Sequence, residues 1–315
     1  MNLKYDWYRF KFNYGKHLPL KTPVDVSLEL ASVCNMKCSY CYHGDKAGLP
    51  FKQDFMSTEL AEKVLVQASE LGVNSLKFNW RGESTLHPDF RHITSIAKML
   101  SKGSTFLDRL TNSNFKFDSS RDDIFEGLCN QTKVKVSYDS FNKEVFETQR
   151  KGGCWDTTTR NIDLFYNHKK RTNTELVIQC VRTQLNKDEN FEVEIMRRWP
   201  GSTLSIRDVV EGRLNKDIDT LKVKTRDASN RQSCKQAHVR MIIHHDGKVS
   251  PCCPSIANNL ILGDVNYNSL YEVFNNHSSR GLRKSLKNGS AFDLDPCKTC
   301  SSFESYKGFE PVWGS

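Results

Sequence analysis

The sequence predicts an α/β fold: a partial (β/α)6 barrel of parallel strands and helices, followed by a small α+β module. Between residues 24 and 210, short apolar or β-branched runs alternate with longer amphipathic segments in six units. Six units are too few to close an eight-unit barrel, so an incomplete barrel or an open sheet fits better. After residue 234 the pattern changes to a tight-turn dipeptide and closely spaced cysteines, which indicates a separate module.

Each unit of the predicted barrel begins with a strand and continues into a helix. The strands are expected at Val24–Ala31, Ser75–Trp80, Phe106–Thr111, Lys133–Tyr138, Glu175–Arg182 and Thr203–Val209. The helices are expected at Ser57–Leu71, Pro88–Lys102, Asp118–Asn130, Lys143–Tyr166 and Asp188–Trp199. Ligands of such sheets collect at the carboxyl ends of the strands, so we expect the functional residues there.

The predicted boundaries are an N-terminal extension at 1–23, the barrel at 24–210, a polar linker at 211–233 and the module at 234–315. The module starts with a hairpin around Asp246-Gly247, with a helix expected near Ser269–Asn275. The aromatic and basic start KYDWYRFKFNYGK either caps the bottom of the barrel or stacks on nucleic-acid bases. Twenty-three residues are too few for a peptide-docking domain ahead of the barrel.

The composition is that of a folded globular protein, with 37% hydrophobic and 26% charged residues. The sequence contains neither a membrane-spanning run nor an apolar signal core, so we expect a cytoplasmic protein that does not enter membranes. In that reducing compartment, the eleven cysteines are not expected to form disulfides, and the seven that are closely spaced are expected to bind metal. The net charge of +9 fits either an anionic partner or a need for solubility.

The first cysteine group, Cys34, Cys38 and Cys41, directly follows the first predicted strand. Structural zinc normally takes four protein ligands, whereas three thiolates on a four-iron cluster leave one iron open for a substrate or cofactor. A zinc site completed by His43 is the alternative. An open iron indicates chemistry rather than a structural role.

The loop VCNMKCSYCY, with Tyr40 before the third cysteine, resembles the radical S-adenosylmethionine (SAM) superfamily. The resemblance implies a catalytic [4Fe-4S] cluster on the three cysteines, SAM chelated by the open iron, and Tyr40 beside the adenine. Arg81-Gly82-Glu83-Ser84 is similar to the family's Gly-Gly-Glu-Pro segment, which implies that Gly82 and Glu83 hold the methionine amino group. Arg81 and Ser84 depart from that pattern.

Five further residues lie at predicted strand ends or before Gly152-Gly153, where the family contacts the ribose and carboxylate of SAM. Their alternative role is that of ordinary strand-end polar residues. They are Thr111, Asn112, Ser137, Asp139 and Arg150.

The second cysteine group resembles the Twitch module, the short form of the SPASM auxiliary-cluster domain, and implies a second [4Fe-4S] cluster. Its members are Cys234, Cys252, Cys297 and Cys300. Their spacing is also similar to that of the 2-deoxy-scyllo-inosamine dehydrogenases, Twitch enzymes that oxidise a carbinol. A four-cysteine zinc ribbon is the alternative, and Cys253 is an alternative ligand to Cys252.

The three other cysteines, Cys129, Cys154 and Cys180, are expected to be buried apolar residues. A less favoured role for Cys154 or Cys253 is to donate a hydrogen atom to a substrate radical.

The resemblance implies a radical SAM oxidoreductase that acts on a polar small molecule or a biosynthetic intermediate. A one-electron donor such as flavodoxin or ferredoxin would supply the reducing electron. The alternatives are modification of a nucleic-acid base, modification of a peptide residue, and a non-catalytic metal scaffold. Candidate residues for substrate binding or proton transfer are Arg207, Asp208, Glu211, His244 and His245.

Overall fold

One mixed β-sheet organises the computed structural model, which describes residues 3–44, 48–209, 234–257 and 259–300. Its strands are β1 Asp25–Leu28, β2 Ser75–Lys77, β3 Asp108–Ser113, β4 Lys133–Ser137, β5 Glu175–Arg182, β6 Thr203–Asp208, β7 Arg240–Ile243, β8 Lys248–Ser250 and β9 Gly263–Asp264. They pair in the order β6-β5-β4-β3-β2-β1-β7-β8-β9. Strands β1 to β6 are parallel to their neighbours, and β6 and β9 form the two edges. The predicted α/β fold with an incomplete parallel barrel is therefore confirmed.

The helices connect and cover these strands. They are α1 Leu3–Tyr14, α2 Thr58–Glu70, α3 Phe90–Met99, α4 Asp122–Cys129, α5 Lys143–Gln149, α6 Trp155–His168, α7 Phe191–Arg198, α8 Gln236–Val239, α9 Leu270–Asn275 and α10 His277–Asn288. None of these helices combines the length and the hydrophobicity that a membrane span requires.

The single helix expected at Lys143–Tyr166 is wrong, because the chain breaks it into α5 and α6. Gly152 lies between the two helices with a φ of 83°, in the left-handed region that glycine adopts without a steric penalty. The break brings Arg150, the residue after α5, to the wall of the cavity described below.

Helix α10 was missed by the sequence analysis, although its signals are local. Leu282 and Leu286 are four residues apart and are both buried. The Asn276 side chain accepts a hydrogen bond from the Ser279 N–H at the start, and Gly289 ends the helix with a φ of 81°.

The two faces of the parallel sheet differ in polarity because side chains alternate along each strand. Val26 and Leu28 of β1 are fully buried and pack in one cluster with Val64 and Leu65 of α2. On the other face of β1 lies Asp25, a charged residue that is also fully buried. The helices thus cover an apolar face, and the inner face of the incomplete barrel is polar.

Helix α1 closes the barrel at the amino ends of the strands. Tyr8 is 2% exposed and packs against Val24 and Val239, and its hydroxyl donates to Asp108 of β3 at 3.5 Å. These contacts support the interpretation of the N-terminal stretch as a cap over the barrel bottom.

A buried ion pair joins the barrel to the C-terminal region. Arg81 Nε and Nη2 donate to the two carboxylate oxygens of Glu29 at 2.6 and 2.7 Å, and both side chains are fully buried. Arg81 also donates to the Ile256 carbonyl, and the His245 backbone N–H donates to Glu29. Burial alone would raise the pKa of Glu29, but Arg81 and His245 lower it below its usual value. The arginine that departs from the family pattern therefore has a structural partner.

We expect Arg81→Met to lower the free energy of unfolding by about 3–5 kcal/mol, because it leaves Glu29 buried without its cation. The matched control is Arg91→Met, whose side chain is 61% exposed and pairs with Glu126 at the surface. The control substitution should lower the free energy of unfolding by less than about 1 kcal/mol. Urea unfolding followed by circular dichroism measures both, and similar losses would show that the Glu29–Arg81 pair is not structurally important.

Candidate active site

A cavity of about 300 Å³ lies at the carboxyl ends of the parallel strands. Cys34, Cys38 and Cys41 line it together with Gly82 and Glu83. Two segments that are remote in sequence, the cysteine loop after β1 and the loop after β2, thus meet at one site.

The three thiols are close enough to influence one another's protonation. Burial, together with the charges of Glu83, Cys38 and Cys41, raises the pKa of Cys34 to about 12. Burial also raises the pKa of Cys38 to about 11, although Arg150 opposes the increase. A positively charged centre is therefore needed to hold these residues as thiolates.

Zinc was the alternative to an iron-sulfur cluster at both cysteine groups. Within the described ranges, no three His, Cys, Asp or Glu side chains are placed to hold one ion. Zinc would require its thiolates at about 2.3 Å from one atom, whereas a four-iron cluster spreads them over separate irons. His43 contacts the Arg81 carbonyl at 2.8 Å through Nε2, so this nitrogen is already used as a donor.

Gly82 is required by the close approach of two backbones. A Cβ at this position would lie 2.3 Å from the Ala31 carbonyl oxygen and 2.4 Å from that of Val33. The neighbouring Glu83 N–H donates to the same Val33 oxygen at 2.9 Å. The glycine therefore fixes the loop after β2 against the start of the cysteine loop.

Glu83 presents a buried carboxylate to the cavity. Oε1 accepts from the Thr85 hydroxyl at 2.7 Å, and Oε2 accepts from the Asn114 N–H at 2.7 Å. Burial raises the pKa of Glu83, although these hydrogen bonds oppose the increase. A cationic group in the cavity would stabilise the ionised form, as expected for a carboxylate that binds an ammonium group.

Two buried amide oxygens at the cavity have no hydrogen-bond partner among the described residues: Oδ1 of Asn112 and Oδ1 of Asn79. A ligand with donor groups would satisfy both acceptors. Asn112 was predicted as a site residue, as was Ser137, which also lines the cavity. Asn79 was missed, although it lies two residues beyond Lys77 at the end of β2 and so shares its face.

Tyr40 and Arg150 line the cavity, and Asp139 lies behind them. The Tyr40 hydroxyl donates a short hydrogen bond to Asp139, and Arg150 Nε lies 2.9 Å from the same carboxylate oxygen. The Val181 N–H donates to the other oxygen at 2.8 Å, and Arg150 Nη1 donates to Cys38 Sγ at 3.7 Å. The structure thus places Asp139 as an anchor for Tyr40 and Arg150, outside the cavity wall.

The second cysteine group also converges. Burial raises the pKa of Cys252 well above its usual value, and the charges of Cys234, Cys253, Cys300 and Cys297 also raise it. Adjacent Cys253 instead lines the cavity. This arrangement supports Cys252 over Cys253 as the fourth member.

The remaining candidates do not join the cavity wall. Cys180 is buried as expected, but Cys129 and Cys154 are only half-buried. The His244 ring contacts that of Trp80 in a tilted arrangement, and His244 Nε2 lies 2.7 Å from Ser250 Oγ; burial lowers the pKa of His244 to about 3. The His245 N–H bonds to Glu29, as described above. Thr111 is buried away from the cavity, and the Asp208 side chain and Glu211 lie outside the described residues.

An incomplete parallel barrel whose first strand leads into three clustered cysteines defines a class of enzymes that use an iron-sulfur cluster with one open iron. Family comparison agrees: residues 28–184 match the radical SAM superfamily, and residues 234–301 match the SPASM iron-sulfur cluster-binding domain. The chain belongs to the radical SAM superfamily. Membership implies a [4Fe-4S] cluster and SAM, and the SPASM match implies further iron-sulfur cluster binding.

Two curated relatives illustrate the range of similar proteins. A GTP 3′,8-cyclase of Synechocystis is 25% identical over 177 residues, which cover 55% of this chain and 50% of the cyclase. The sporulation killing factor maturation protein SkfB of Bacillus subtilis is 23% identical over 266 residues, covering 73% and 60% of the two chains. The chain thus spans about half of the length of the cyclase and somewhat more of SkfB.

Solved structures share the fold. BtrN in complex with AdoMet and 2-DOIA gives a TM-score of 0.56 at 16% identity, covering 88% of this chain and 92% of BtrN. Streptococcus suis SuiB bound to its precursor peptide SuiA gives 0.66 at 15% identity, covering 95% and 75%. The anSMEcpe structure with bound AdoMet gives 0.65 at 17% identity, covering 90% and 91%.

We expect Gly82→Ala to lower the free energy of unfolding by about 1–3 kcal/mol. The new Cβ would overlap two backbone carbonyl oxygens, and the overlap can be relieved only by moving the backbone. Gly281→Ala is the control, because nothing lies within 4 Å of the new Cβ in the exposed middle of α10. The control should stabilise the chain by up to about 1 kcal/mol. Urea unfolding measures the free energy of unfolding of both variants. An unchanged value for Gly82→Ala would contradict the claim that the two backbones approach too closely for a Cβ.

We expect Cys252→Ala to lose about half of the iron of the reconstituted chain and Cys253→Ala to keep nearly all of it. The reason is that Cys252 faces the other three cysteines, while Cys253 faces the cavity. Anaerobic iron and sulfide determination on both variants measures this difference. The reverse result would make Cys253 the ligand.

Proposed function

We propose that the chain is a radical SAM oxidoreductase that oxidises a polar small molecule or biosynthetic intermediate bound in the cavity beside the cysteine loop. When bound, the cluster and SAM supply a 5′-deoxyadenosyl radical, with methionine released, and this radical removes a hydrogen atom from the substrate. The substrate radical would then lose a proton and one further electron, which the second cluster would accept, and this completes a two-electron oxidation. An external one-electron donor such as flavodoxin or ferredoxin provides the first electron.

The protein's own residues position the reactants. Cys34, Cys38 and Cys41 are proposed to hold the catalytic cluster, and Glu83 to accept hydrogen bonds from the methionine ammonium group. Arg150 donates to Cys38 Sγ, which stabilises negative charge on that sulfur.

The other proposed cofactor contacts come from the same cavity wall. Asn112 and Ser137 are proposed to contact the ribose of SAM, and Tyr40 to pack beside its adenine. In the SPASM-type module, a second [4Fe-4S] cluster is proposed on the four converging cysteines. They are Cys234, Cys252, Cys297 and Cys300.

The observation that carries this proposal is the shared cavity. Three cysteine thiols, a buried carboxylate and two unsatisfied amide oxygens surround one space of about 300 Å³. Such a volume is at the lower end of ligand pockets, which suits a cofactor and a small reacting group better than a large substrate. A purely structural cluster would need neither Glu83 nor the buried acceptors.

We expect the reconstituted, dithionite-reduced chain to convert SAM into 5′-deoxyadenosine, detected by mass spectrometry. Cys38→Ala should reduce formation to background, because it removes a ligand of the cluster. Cys129→Ala is the control: this thiol is half-buried on α4 and does not line the cavity, so activity should stay within about twofold. Wild-type protein with full iron content that never forms 5′-deoxyadenosine, with or without candidate substrates, would favour the scaffold alternative.

A peptide substrate is the second candidate. SkfB is named as the maturation protein of a killing factor, and SuiB was solved with its precursor peptide. A groove of about 640 Å³ beside the cavity, lined by Phe51, Phe55 and Lys248 among others, would have room for an extended segment. Mass spectrometry of candidate peptides after turnover distinguishes this possibility, because a modified peptide would shift by the mass of the atoms lost.

A further inference from the structure

Helix α10 carries cations on one side and no acidic residue. Arg280, Arg283, Lys284 and Lys287 occupy positions i, i+3, i+4 and i+7, so their side chains lie along one side of the helix. The sequence of the helix, HSSRGLRKSLKN, contains neither aspartate nor glutamate. Like charges at these spacings destabilise a helix, and a cation near its amino end, such as Arg280, also opposes the helix dipole. Helix stability therefore does not account for this arrangement of charges.

Three of these four cations are accessible. Arg280, Lys284 and Lys287 are exposed, and none of them forms an ion pair with a described residue. Arg283 differs, because its Nη2 donates to the Phe274 carbonyl at 2.7 Å and its guanidinium lies 4.5 Å from the centre of the Phe274 ring. Arg283 thus connects α10 to α9. The three exposed side chains are named the α10 cations below.

The opposite side of α10 packs against the segments that carry part of the second cysteine group. Leu282 and Leu286 are buried on that side. Helix α10 contacts α8, which begins two residues after Cys234. It also contacts the turn Ser290–Asp293, which packs in its turn against Cys297–Thr299. The α10 cations therefore lie on the outside of a helix that covers the proposed site of the second cluster.

The pKa of a histidine on α8 shows how near these charges are. Burial, together with the charges of Arg283, Lys287, Lys16 and His17, lowers the pKa of His238 to about 4. Two of these four basic residues belong to α10. The charged side of the helix is thus close enough to act electrostatically on the segment that follows the first cysteine of the group.

We propose that the α10 cations are the docking site of an acidic one-electron carrier protein, which removes the electron that substrate oxidation delivers to the second cluster. In each turnover the module loses one electron and the carrier gains one. The carrier that supplies the first electron leaves in its oxidised form, and this form is able to accept the returning electron. The inference rests on the proposed function, because the oxidation is the source of that electron.

Both the charge and the size of this surface fit such a partner. Opposite charges steer two proteins together and speed their association. The 12 residues of α10 span only about 18 Å, and contacts of electron carriers are among the smallest, below about 1,200 Å². A nucleic acid is the other polyanion that cations attract, but its binding would make no use of the cysteines beneath the helix. The position of the cations therefore favours the electron carrier.

The first test is isothermal titration calorimetry of the reconstituted full-length protein with oxidised flavodoxin, an acidic carrier of one electron. The test variant combines Arg280→Gln, Lys284→Gln and Lys287→Gln. The control combines Arg91→Gln, Lys143→Gln and Arg197→Gln, three exposed side chains that each pair with a surface carboxylate. Each variant loses three positive charges, from +9 to +6, so a difference between them reports the position of the charges and not their number.

We expect the test variant to bind flavodoxin about tenfold more weakly than wild type, with the control within about twofold of wild type. Added salt should weaken the binding to wild type. No binding to wild type at low ionic strength, or equal binding to the two variants, would overturn the proposal. So would a single-stranded DNA oligonucleotide that distinguishes the two variants when flavodoxin does not, because the face would then be a nucleic-acid site.

The second test measures electron exit in the Cys38→Ala background, which lacks a ligand of the first cluster. Reduced protein, freed of dithionite, is mixed with oxidised flavodoxin in a stopped-flow instrument, and the flavin absorbance is followed. We expect the three α10 substitutions to slow flavin reduction about tenfold at low ionic strength, and the control substitutions to leave it unchanged. Equal rates would contradict electron exit at this face. Dithionite-driven formation of 5′-deoxyadenosine needs no carrier, so its absence from wild type would contradict the proposed function and not the docking site.

Discussion

The buried ion pair between Glu29 and Arg81 is the interaction on which the geometry of the site depends. It lies at the end of β1, immediately before the cysteine loop, and its arginine immediately precedes Gly82 and Glu83. The same pair contacts the backbone of Ile256 and His245 from the C-terminal region. One carboxylate and one guanidinium therefore connect the cysteine loop, the glycine-glutamate loop and the segment from His245 to Ile256, which contains Cys253.

A polar inner face distinguishes this sheet from a barrel filled with branched apolar residues. The apolar outer face and its helices supply the burial that stabilises the chain, so the inner face is available for charged groups. These groups are arranged in layers along the strands. Lys77 and Arg240 form the floor, and Glu83 and the thiols form the wall nearer the loops. A zwitterionic cofactor would find groups of both charges in this cavity.

Features that depend on neighbouring residues, such as strand bounds and cysteine spacing, could be predicted from the sequence. Strand β5 was predicted at its observed bounds, and the three cysteines of the first loop do meet, because the chain holds them within eight residues. The meeting of strand ends at one cavity was also predicted, but the side-chain ion pairs between distant segments were not. In the sequence, Arg81 is only a departure from a family motif. In the structure it pairs with Glu29, which is 52 residues away. The pairing of Arg240 with Asp25 spans 215 residues and depends on β7 joining β1.

The central claim is that the cavity places SAM against the open iron of the first cluster. Electron paramagnetic resonance of the reduced, reconstituted chain tests it most directly, with SAM added to wild type and to Glu83→Gln. The account predicts that SAM changes the spectrum of one cluster in wild type, leaves the other cluster unchanged, and needs a higher concentration in Glu83→Gln. A spectrum that saturating SAM does not alter, in protein with full iron content, would contradict the account.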